Sequence, residues 1–223
     1  MFRQTLTEIR FSGFTSMAAA QPALQYSVTI TKLTAGQTFT GHFVATHSSN
    51  FLMFELGAPA SESLEIMAEG GDTGPLTGDV ANFATDVLTI GALLGPGETA
   101  STVVTGVPGR DSISVAAMLI PTNDTFFAVN GIRLPRNGEA EVFSPGYDAG
   151  TEENDQSCAN MPGPRCEGEG YSTDPGEGVV HIGNGFHDLG DTDDNGAEVL
   201  GPKVYDWRNS VARIVVRKSP GKR

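Results

Sequence analysis

The sequence predicts a mostly β protein, an antiparallel β-sandwich with one short helix and long acidic loops. The chain is rich in Val, Ile, Thr and Phe, which favour strands, and several segments alternate apolar with polar residues. With 28 Gly and 13 Pro in 223 residues, many turns separate these segments. A content of 39% hydrophobic and 18% charged residues excludes a disordered or coiled-coil chain, and the length allows one domain with a substantial core.

The first core strand shows the alternation most clearly, because apolar residues between positions 26 and 33 fall on one face: Tyr26, Val28 and Ile30. A second short strand is predicted at residues 43–47, and residues 87–90 form a short strand or a turn. Later strands are predicted at residues 98–104, 112–120, 126–134, 140–143, 179–182 and 211–217. The segment 112–120 ends in a continuous apolar run, which is typical of a strand buried on both faces.

One helix is predicted over residues 59–69. Pro59 lies near its start, and Gly70 and Gly71 end it. Its buried stripe would contain Leu64, Met67 and Ala68. Residues 72–86, rich in Gly, Asp and Thr, are predicted to be a loop.

Two turns predict hairpins between these strands. Residues 107–110 would join 98–104 to 112–120, and residues 136–138 would join 126–134 to 140–143. Asp124 precedes the second hairpin and Asp148 follows it. We therefore expect Asp124 and Asp148 at the same end of the sheet.

The net charge of −13 argues against partners that are recognised by simple electrostatics, namely nucleic acid and anionic membranes. It suits a secreted protein that meets cations. No apolar run reaches 18 residues, so no membrane span is predicted. Cys158 and Cys166, the only cysteines, flank a Pro/Gly turn and predict a local disulfide, with two reduced buried thiols as the alternative. A disulfide would indicate an oxidising compartment.

The chain divides into three predicted parts: residues 1–24 as an N-terminal arm or signal remnant, residues 25–218 as the β-sandwich domain, and residues 219–223 as a basic tail. Ala18-Ala-Ala20 resembles a signal-peptidase site, although the residues before it make a poor apolar segment. Alternation from Thr5 to Phe11 would equally suit a retained strand, so both interpretations stay open.

Five acid or amide side chains are crowded between positions 148 and 155: Asp148, Glu152, Glu153, Asn154 and Asp155. Carboxylates packed this densely repel one another, so a fold that holds them together usually does so around a cation. Oxygen ligands point to a hard ion, and Ca²⁺ is the common one outside cells. We expect the loops at Asp124 and Asp148 to share one Ca²⁺, with a solvated acidic turn as the alternative.

Two further patterns are compatible with metal binding. The segment Asp191-Thr-Asp-Asp-Asn-Gly196 matches the first half of a calcium loop, but Pro202 stands where the bidentate Glu is expected. A second Ca²⁺ there is left open. His181, and His187 with Asp188, could approach a metal, although structural roles are favoured for these histidines.

The run Met118-Leu-Ile-Pro-Thr-Asn-Asp124-x-Phe126-x-Ala-Val-Asn-Gly131, together with Tyr147-Asp-Ala-Gly-Thr-Glu152, resembles the spondin amino-terminal domain family. The segments His47–Ala60 and Asp206–Asn209 resemble its bacterial branch. The resemblance covers roughly residues 25–217. It implies an antiparallel β-sandwich that binds Ca²⁺ between loops at one end. Carried over by motif position, the metal ligands would be Asp124, Asp148 and Glu152, where Glu152 replaces an Asp of the animal proteins and Tyr147 replaces a Trp.

Three functions follow as hypotheses. The first is a secreted or cell-surface Ca²⁺-binding module for adhesion or matrix attachment, with an unknown extracellular protein or glycan as partner. The alternative is a self-assembling surface or filament subunit, in which the N-terminal arm adds a strand to a neighbour's sheet edge. A secreted hydrolase is disfavoured, because the sequence has no G-x-S-x-G elbow, no H-E-x-x-H and no P-loop. We therefore expect that the chain is not an enzyme.

Overall fold

The computed structural model describes residues 21–173, 175–187, 190–208 and 210–220. The described residues form two antiparallel sheets and three short helices, which confirms the mostly β prediction. The strands are β1 (Leu24–Lys32), β2 (Thr38–Phe39), β3 (His42–Ser48), β4 (Ala84–Ile90), β5 (Thr99–Gly106), β6 (Asp111–Ile120), β7 (Thr125–Arg133), β8 (Glu139–Ser144), β9 (Gly146–Asp148), β10 (His181–Ile182) and β11 (Ala212–Lys218). The helices are α1 (Glu62–Gly70), α2 (Gly74–Val80) and α3 (Pro202–Tyr205).

The two sheets pack face to face around the main core. The smaller sheet has the strand order β5-β1-β11-β8. The larger has the order β10-β9-β7-β6-β3-β4, with β2 paired to β6. Inward-facing side chains of both sheets fill the space between them, among them Tyr26, Val28, Ile30, Val115, Phe127 and Ile214. The predicted buried face of the first strand is confirmed, because Tyr26, Val28 and Ile30 are fully buried.

Both predicted hairpins are wrong. β5 pairs with β1, whereas β6 pairs with β3 and β7 in the other sheet. β8 likewise pairs with β11 rather than with β7. The reason lies in burial. β6 is buried at all ten positions, so it belongs to the larger sheet, which is covered on one face by the other sheet and on the other by the helices. β5 and β8 keep one face partly exposed and belong to the smaller sheet. The short connections are therefore corners between sheets.

Asp111 holds the first of these corners. Its Oδ2 accepts hydrogen bonds from the backbone N–H of Val107 at 2.8 Å and from the Thr85 hydroxyl at 2.7 Å. Arg110 Nε donates to Oδ1 of the same carboxylate at 2.7 Å. Burial would raise the pKa of Asp111, but these donors hold it below its usual value.

Helices α1 and α2 cover the outer face of the larger sheet and form a second core with it. In α1 the Ser61 side chain caps the N-terminus, Gly71 ends the helix at φ +71°, and the predicted stripe is buried: Leu64, Met67 and Ala68. The prediction of a loop over 72–86 is wrong, because this segment contains α2 and the start of β4. Glycine disfavours a helix, so Gly74 and Gly78 make the sequence of α2 look like a loop, although the helix forms and buries Leu76 and Val80.

The predicted disulfide between Cys158 and Cys166 is present. Among the described residues, no helix has the length and apolar character required to cross a bilayer. Residues 1–20 of the predicted arm and 221–223 of the predicted tail lie outside the described residues.

Candidate metal centre

Three adjacent strands of the larger sheet bring the acidic loops together. In the pairing of β7 with β9, Thr125 lies opposite Asp148, and in the pairing of β9 with β10, Asp148 lies opposite His181. Asp124 directly precedes β7, and its carbonyl accepts from the backbone N–H of Ala149 at 3.3 Å. The expectation that Asp124 and Asp148 share one end of the sheet is confirmed. The cause is the return of β9 to the larger sheet, not a hairpin.

Asp124 is fully buried, and only one of its carboxylate oxygens is hydrogen-bonded. Oδ2 accepts from the backbone N–H of Thr151 at 2.8 Å, from the Thr151 hydroxyl at 3.3 Å and from the backbone N–H of Glu152 at 3.3 Å. Oδ1 has no donor among the described residues. Burial raises the pKa of Asp124 well above its usual range, and the charge of Asp148 raises it further.

Asp148 is also fully buried, and both of its oxygens have partners. Oδ1 accepts from the backbone N–H of Gly150 at 2.8 Å and lies 3.3 Å from Nε2 of His181. Oδ2 accepts from the Asn154 amide at 2.8 Å. Burial raises the pKa of Asp148, and its hydrogen bonds and His181 oppose the rise.

A cluster of ligand-type side chains surrounds Asp148. Ligand atoms of Asp148, Glu177 and His181 all lie within 4.8 Å of one another. Asn154 joins two members, since its Nδ2 donates to Asp148 Oδ2 at 2.8 Å and to Glu177 Oε1 at 2.9 Å. We call Asp148, Glu177 and His181 the β9–β10 cluster. Asp148 is buried, His181 is partly buried and Glu177 is exposed, so the cluster opens to solvent.

Glu152 holds Asp124 through its backbone N–H, and its carboxylate lies against a different loop. Oε1 of Glu152 accepts from the Ser172 hydroxyl at 2.9 Å. The backbone N–H of Ser172 donates to Oε2 of Glu69, a buried side chain in α1, at 2.9 Å. Burial raises the pKa of Glu69, and the Ser172 hydrogen bond partly offsets the rise. Ser172 thus connects the acidic loop to the helix layer.

Glycines allow the two loops that carry Asp148 and Glu177 to touch through their backbones. Gly150 has φ +68°, and a Cβ there would lie 2.2 Å from the carbonyl oxygen of Val179. A Cβ at Gly176 would lie 2.6 Å from the Glu152 nitrogen. The backbone N–H of Gly178 donates to the Gly150 carbonyl at 2.7 Å. Only glycine permits this approach, which fixes Glu177 and His181 beside Asp148.

Aromatic rings pack beneath the acidic loops. Tyr147 lies with its ring centroid 5.0 Å from that of Phe54 and 5.6 Å from that of Phe126. Phe54 and Phe126 meet edge to face at 5.4 Å. These contacts hold β9 and its neighbour β7 rigidly at the point where the carboxylates begin.

Of the predicted ligands, the structure therefore brings Asp124 and Asp148 together, while the Glu152 carboxylate engages Ser172. The sequence singled out His181 only as a histidine that could approach a metal, and it gave no reason to choose Glu177. The proximity of Glu177 and His181 to Asp148 depends on how the two-residue strand β10 pairs with β9. A strand this short shows no alternating pattern in the sequence. His187 is exposed, and Asp188 lies outside the described residues.

The second calcium-loop pattern forms an exposed turn. Oδ1 of Asp193 accepts from the backbone N–H groups of Asn195 at 2.9 Å and Ala197 at 3.0 Å. Oδ2 of Asp191 accepts from the backbone N–H of Cys158 at 2.7 Å. Within the described ranges, these carboxylates do not gather into a group of metal-ligand geometry.

Comparison with known families gives one result. The spondin N-terminal family (Spondin_N) matches residues 25–158, more than half of the chain. A search of the curated proteins found no match. The matched range contains Asp124, Asp148 and Glu152 and ends before Glu177 and His181. Spondin N-terminal domains are non-catalytic, extracellular modules of the matrix and adhesion type. With the β-sandwich fold and the paired acidic loops, this match shows that the chain belongs to the spondin N-terminal family.

Proposed function

We propose that the chain is a secreted adhesion or matrix-attachment module whose acidic loops bind one Ca²⁺ through Asp124, Asp148 and Glu152. The observation that carries the proposal is the buried Oδ1 of Asp124, which has no hydrogen-bond donor among the described residues and belongs to a carboxylate beside Asp148. A buried acceptor without a partner is costly, and a second buried carboxylate nearby adds repulsion. A cation between them removes both costs.

The donor set fits a hard ion. All three side chains offer carboxylate oxygens, and Ca²⁺ takes six to eight oxygen ligands from flexible loops, completed by backbone carbonyls and water. Asp124 and Asp148 are anchored by backbone N–H groups of the same loop, at Thr151 and Gly150. The third carboxylate, Glu152, is held by Ser172, so its contribution needs its own variant.

Ion binding would order the surface that a partner meets. The loop from Asp148 to Asp155 and the loop that carries Glu177 contact each other through Gly150 and Gly178. Without a cation, their carboxylates repel across this contact. With one, the two loops form a single rigid surface at the end of the sandwich. Extracellular modules bind Ca²⁺ with a Kd of about 10⁻⁴–10⁻³ M, so we expect weak binding that needs millimolar Ca²⁺.

Thermal unfolding in EDTA and in millimolar Ca²⁺ tests the ion site. With a Kd of about 10⁻⁴–10⁻³ M, about 10 mM Ca²⁺ stabilises the fold by about 1.4–2.7 kcal/mol, which raises the Tm by roughly 3–10 °C for a domain of this size. Asp148→Asn should lose most of this rise, and Glu152→Gln should lose part of it. Asp79→Asn, at an exposed position on α2, is the control and should respond like the wild type. An equal rise in wild type and Asp148→Asn would place Ca²⁺ elsewhere.

Adhesion is tested separately, by binding of the purified chain to immobilised matrix proteins and glycans with Ca²⁺ or EDTA. We expect retention that needs Ca²⁺ and is weakened by Asp148→Asn. Retention that is identical in EDTA would reject an ion-ordered surface. The self-assembly hypothesis depends on residues 1–22, of which 1–20 lie outside the described residues.

A further inference from the structure

We propose that the β9–β10 cluster, Asp148, Glu177 and His181, is a site for a divalent transition ion, with Zn²⁺ as the ion that its donors fit best. This goes beyond the calcium proposal, which uses oxygen ligands only and shares just Asp148 with the cluster. Glu177 and His181 lie outside the range that the spondin family matches.

The hydrogen bonding of His181 leaves one ring nitrogen for a metal. Nδ1 lies 3.0 Å from the carbonyl oxygen of Ile182. Because a carbonyl oxygen only accepts, Nδ1 carries the proton. In the neutral ring, Nε2 then presents a lone pair to Oδ1 of Asp148, 3.3 Å away. Two acceptors at this distance repel unless a proton or a metal ion lies between them. A histidine that binds metal through one nitrogen and donates to a backbone carbonyl from the other is a recurring arrangement in metal sites.

The two carboxylates are oriented by a shared donor. Asn154 donates to Oδ2 of Asp148 and to Oε1 of Glu177, at 2.8 and 2.9 Å. The other oxygen of Asp148, Oδ1, is the one that lies beside His181. Asn154 therefore holds both carboxylates in position through hydrogen bonds, as outer partners of metal ligands do.

Distance and chemistry favour a small borderline ion. Ligands about 2.1 Å from a tetrahedral Zn²⁺ lie about 3.4 Å from one another, and the observed separation of His181 Nε2 from Asp148 Oδ1 is 3.3 Å. Imidazole nitrogen suits Zn²⁺ and its transition-metal neighbours better than Ca²⁺. Glu177 is exposed, so water can supply a fourth ligand and ions can reach the site from solvent.

The charge of Asp148 also acts on a buried neighbour, Asp124. Asp124 is fully buried on the neighbouring strand end, and its Oδ1 has no donor among the described residues. The backbone donors of Thr151 and Glu152 all converge on Oδ2. A cation bound at Asp148 would offset the repulsion between the Asp148 and Asp124 carboxylates.

The test is isothermal titration calorimetry of the full chain, stripped with EDTA and dialysed, using ZnCl₂ and CaCl₂ as separate titrants. We expect one Zn²⁺ per chain. His181→Gln should weaken Zn²⁺ binding at least tenfold and change Ca²⁺ binding less than twofold. Glu177→Gln should weaken Zn²⁺ binding as well. His187→Gln, which removes an exposed histidine, is the matched control and should bind Zn²⁺ like the wild type.

Imidazole ¹⁵N NMR gives a readout that needs no variant. Zn²⁺ should shift Nε2 of His181 and leave its Nδ1 protonated. The proposal is overturned if Zn²⁺ does not bind, if His181→Gln binds it unchanged, or if His187→Gln removes it equally. The calcium proposal stands or falls on the CaCl₂ arm, where the oxygen-only ligands decide the outcome, so failure of one does not imply failure of the other.

Discussion

Asp124 and Thr151 are joined twice: the backbone N–H of Thr151 donates to Oδ2 of Asp124 at 2.8 Å, and its hydroxyl donates to the same oxygen at 3.3 Å. This link fixes the Asp124 carboxylate so that Oδ2 serves the loop and Oδ1 stays without a donor among the described residues. One carboxylate therefore has a structural oxygen and an oxygen left for a ligand.

Asp124→Asn separates these two roles. The amide oxygen can keep the hydrogen bonds from Thr151 and Glu152, while the NH₂ group replaces the oxygen that lacks a donor and removes the repulsion with Asp148. We expect the free energy of unfolding in EDTA to stay the same or to rise by about 1 kcal/mol. The Tm rise in Ca²⁺ should be lost. Urea titrations in EDTA and thermal scans with and without Ca²⁺ measure both quantities, and a large loss of stability in EDTA would show that the carboxylate is needed by the fold itself.

Gly150 and Gly178 form a matched pair for testing the loop contact. Both have positive φ, +68° and +83°, but a Cβ at Gly178 would meet no atom within 4 Å, whereas one at Gly150 would lie 2.2 Å from the Val179 carbonyl. Gly178→Ala should cost about 1–2 kcal/mol from backbone conformation alone. Gly150→Ala should cost clearly more, because the clash is with backbone that cannot move aside. Equal losses in urea denaturation would mean that the two loops separate easily.

We expect buried His42 to make the stability of the fold decrease at acidic pH. Its ring is buried at the start of β3, with its centroid 6.0 Å from those of Phe39 and Phe127. Burial lowers the pKa of His42 from 6.5 to about 4, and neither ring nitrogen has a hydrogen-bond partner among the described residues. Between these values the unfolded chain binds a proton that the folded chain does not, so stability falls as the pH falls from about 6.5 to 4.

The expected loss from His42 is about 2.5 kcal/mol between pH 7.5 and pH 4.5, at about 1.4 kcal/mol per pKa unit. Carboxylates with raised pKa change stability in the opposite direction, so the informative quantity is the difference between wild type and His42→Phe at each pH, measured in EDTA. The free energy of unfolding of His42→Phe minus that of the wild type should fall by about 2.5 kcal/mol as the pH rises from 4.5 to 7.5. The exposed His187→Gln variant should show the wild-type profile, and a pH-independent difference for His42→Phe would contradict the assigned shift.

We expect the disulfide to make a modest contribution to the free energy of unfolding. Cys158 and Cys166 close a loop with a sequence separation of 8, for which the chain-entropy estimate is about 2–3 kcal/mol. Cys158→Ala with Cys166→Ala should lower the free energy of unfolding by that amount. Reduction of the wild type should have the same effect, and the double variant should no longer respond to reductant. If reduction destabilises the double variant equally, the reductant acts elsewhere.

The sequence predicted the fold class because alternation marks strands with one buried face, as in Tyr26, Val28 and Ile30. It placed Asp124 and Asp148 at the same end of the sheet by way of a hairpin between residues 126–134 and 140–143. The position is right, but the structure reaches it through the pairing of β9 with β7. It did not predict which strands pair. The corner at Asp111 and a hairpin have similar turn residues, and only the burial of β6 on both faces distinguishes them.

Glu177 and His181 were not predicted as partners of Asp148 for a related reason. Glu177 lies in an irregular segment and His181 in a strand of two residues, so neither has a periodic neighbourhood. Their position comes from the close approach at Gly150 and Gly176, which depends on atoms about 25 residues apart in the chain. Contacts of that kind appear only when the backbone has been placed.

The last strand, β11, lies in the interior of the smaller sheet, between β1 and β8. Its backbone therefore bonds to β1, which is synthesised long before it, and to β8, which is synthesised between the two. A growing chain on the ribosome cannot close this sheet until residues 212–218 have left the exit tunnel. Until then the edges of β1 and β8 that β11 will cover stay unpaired, and unpaired edges of this kind can pair with other chains during folding.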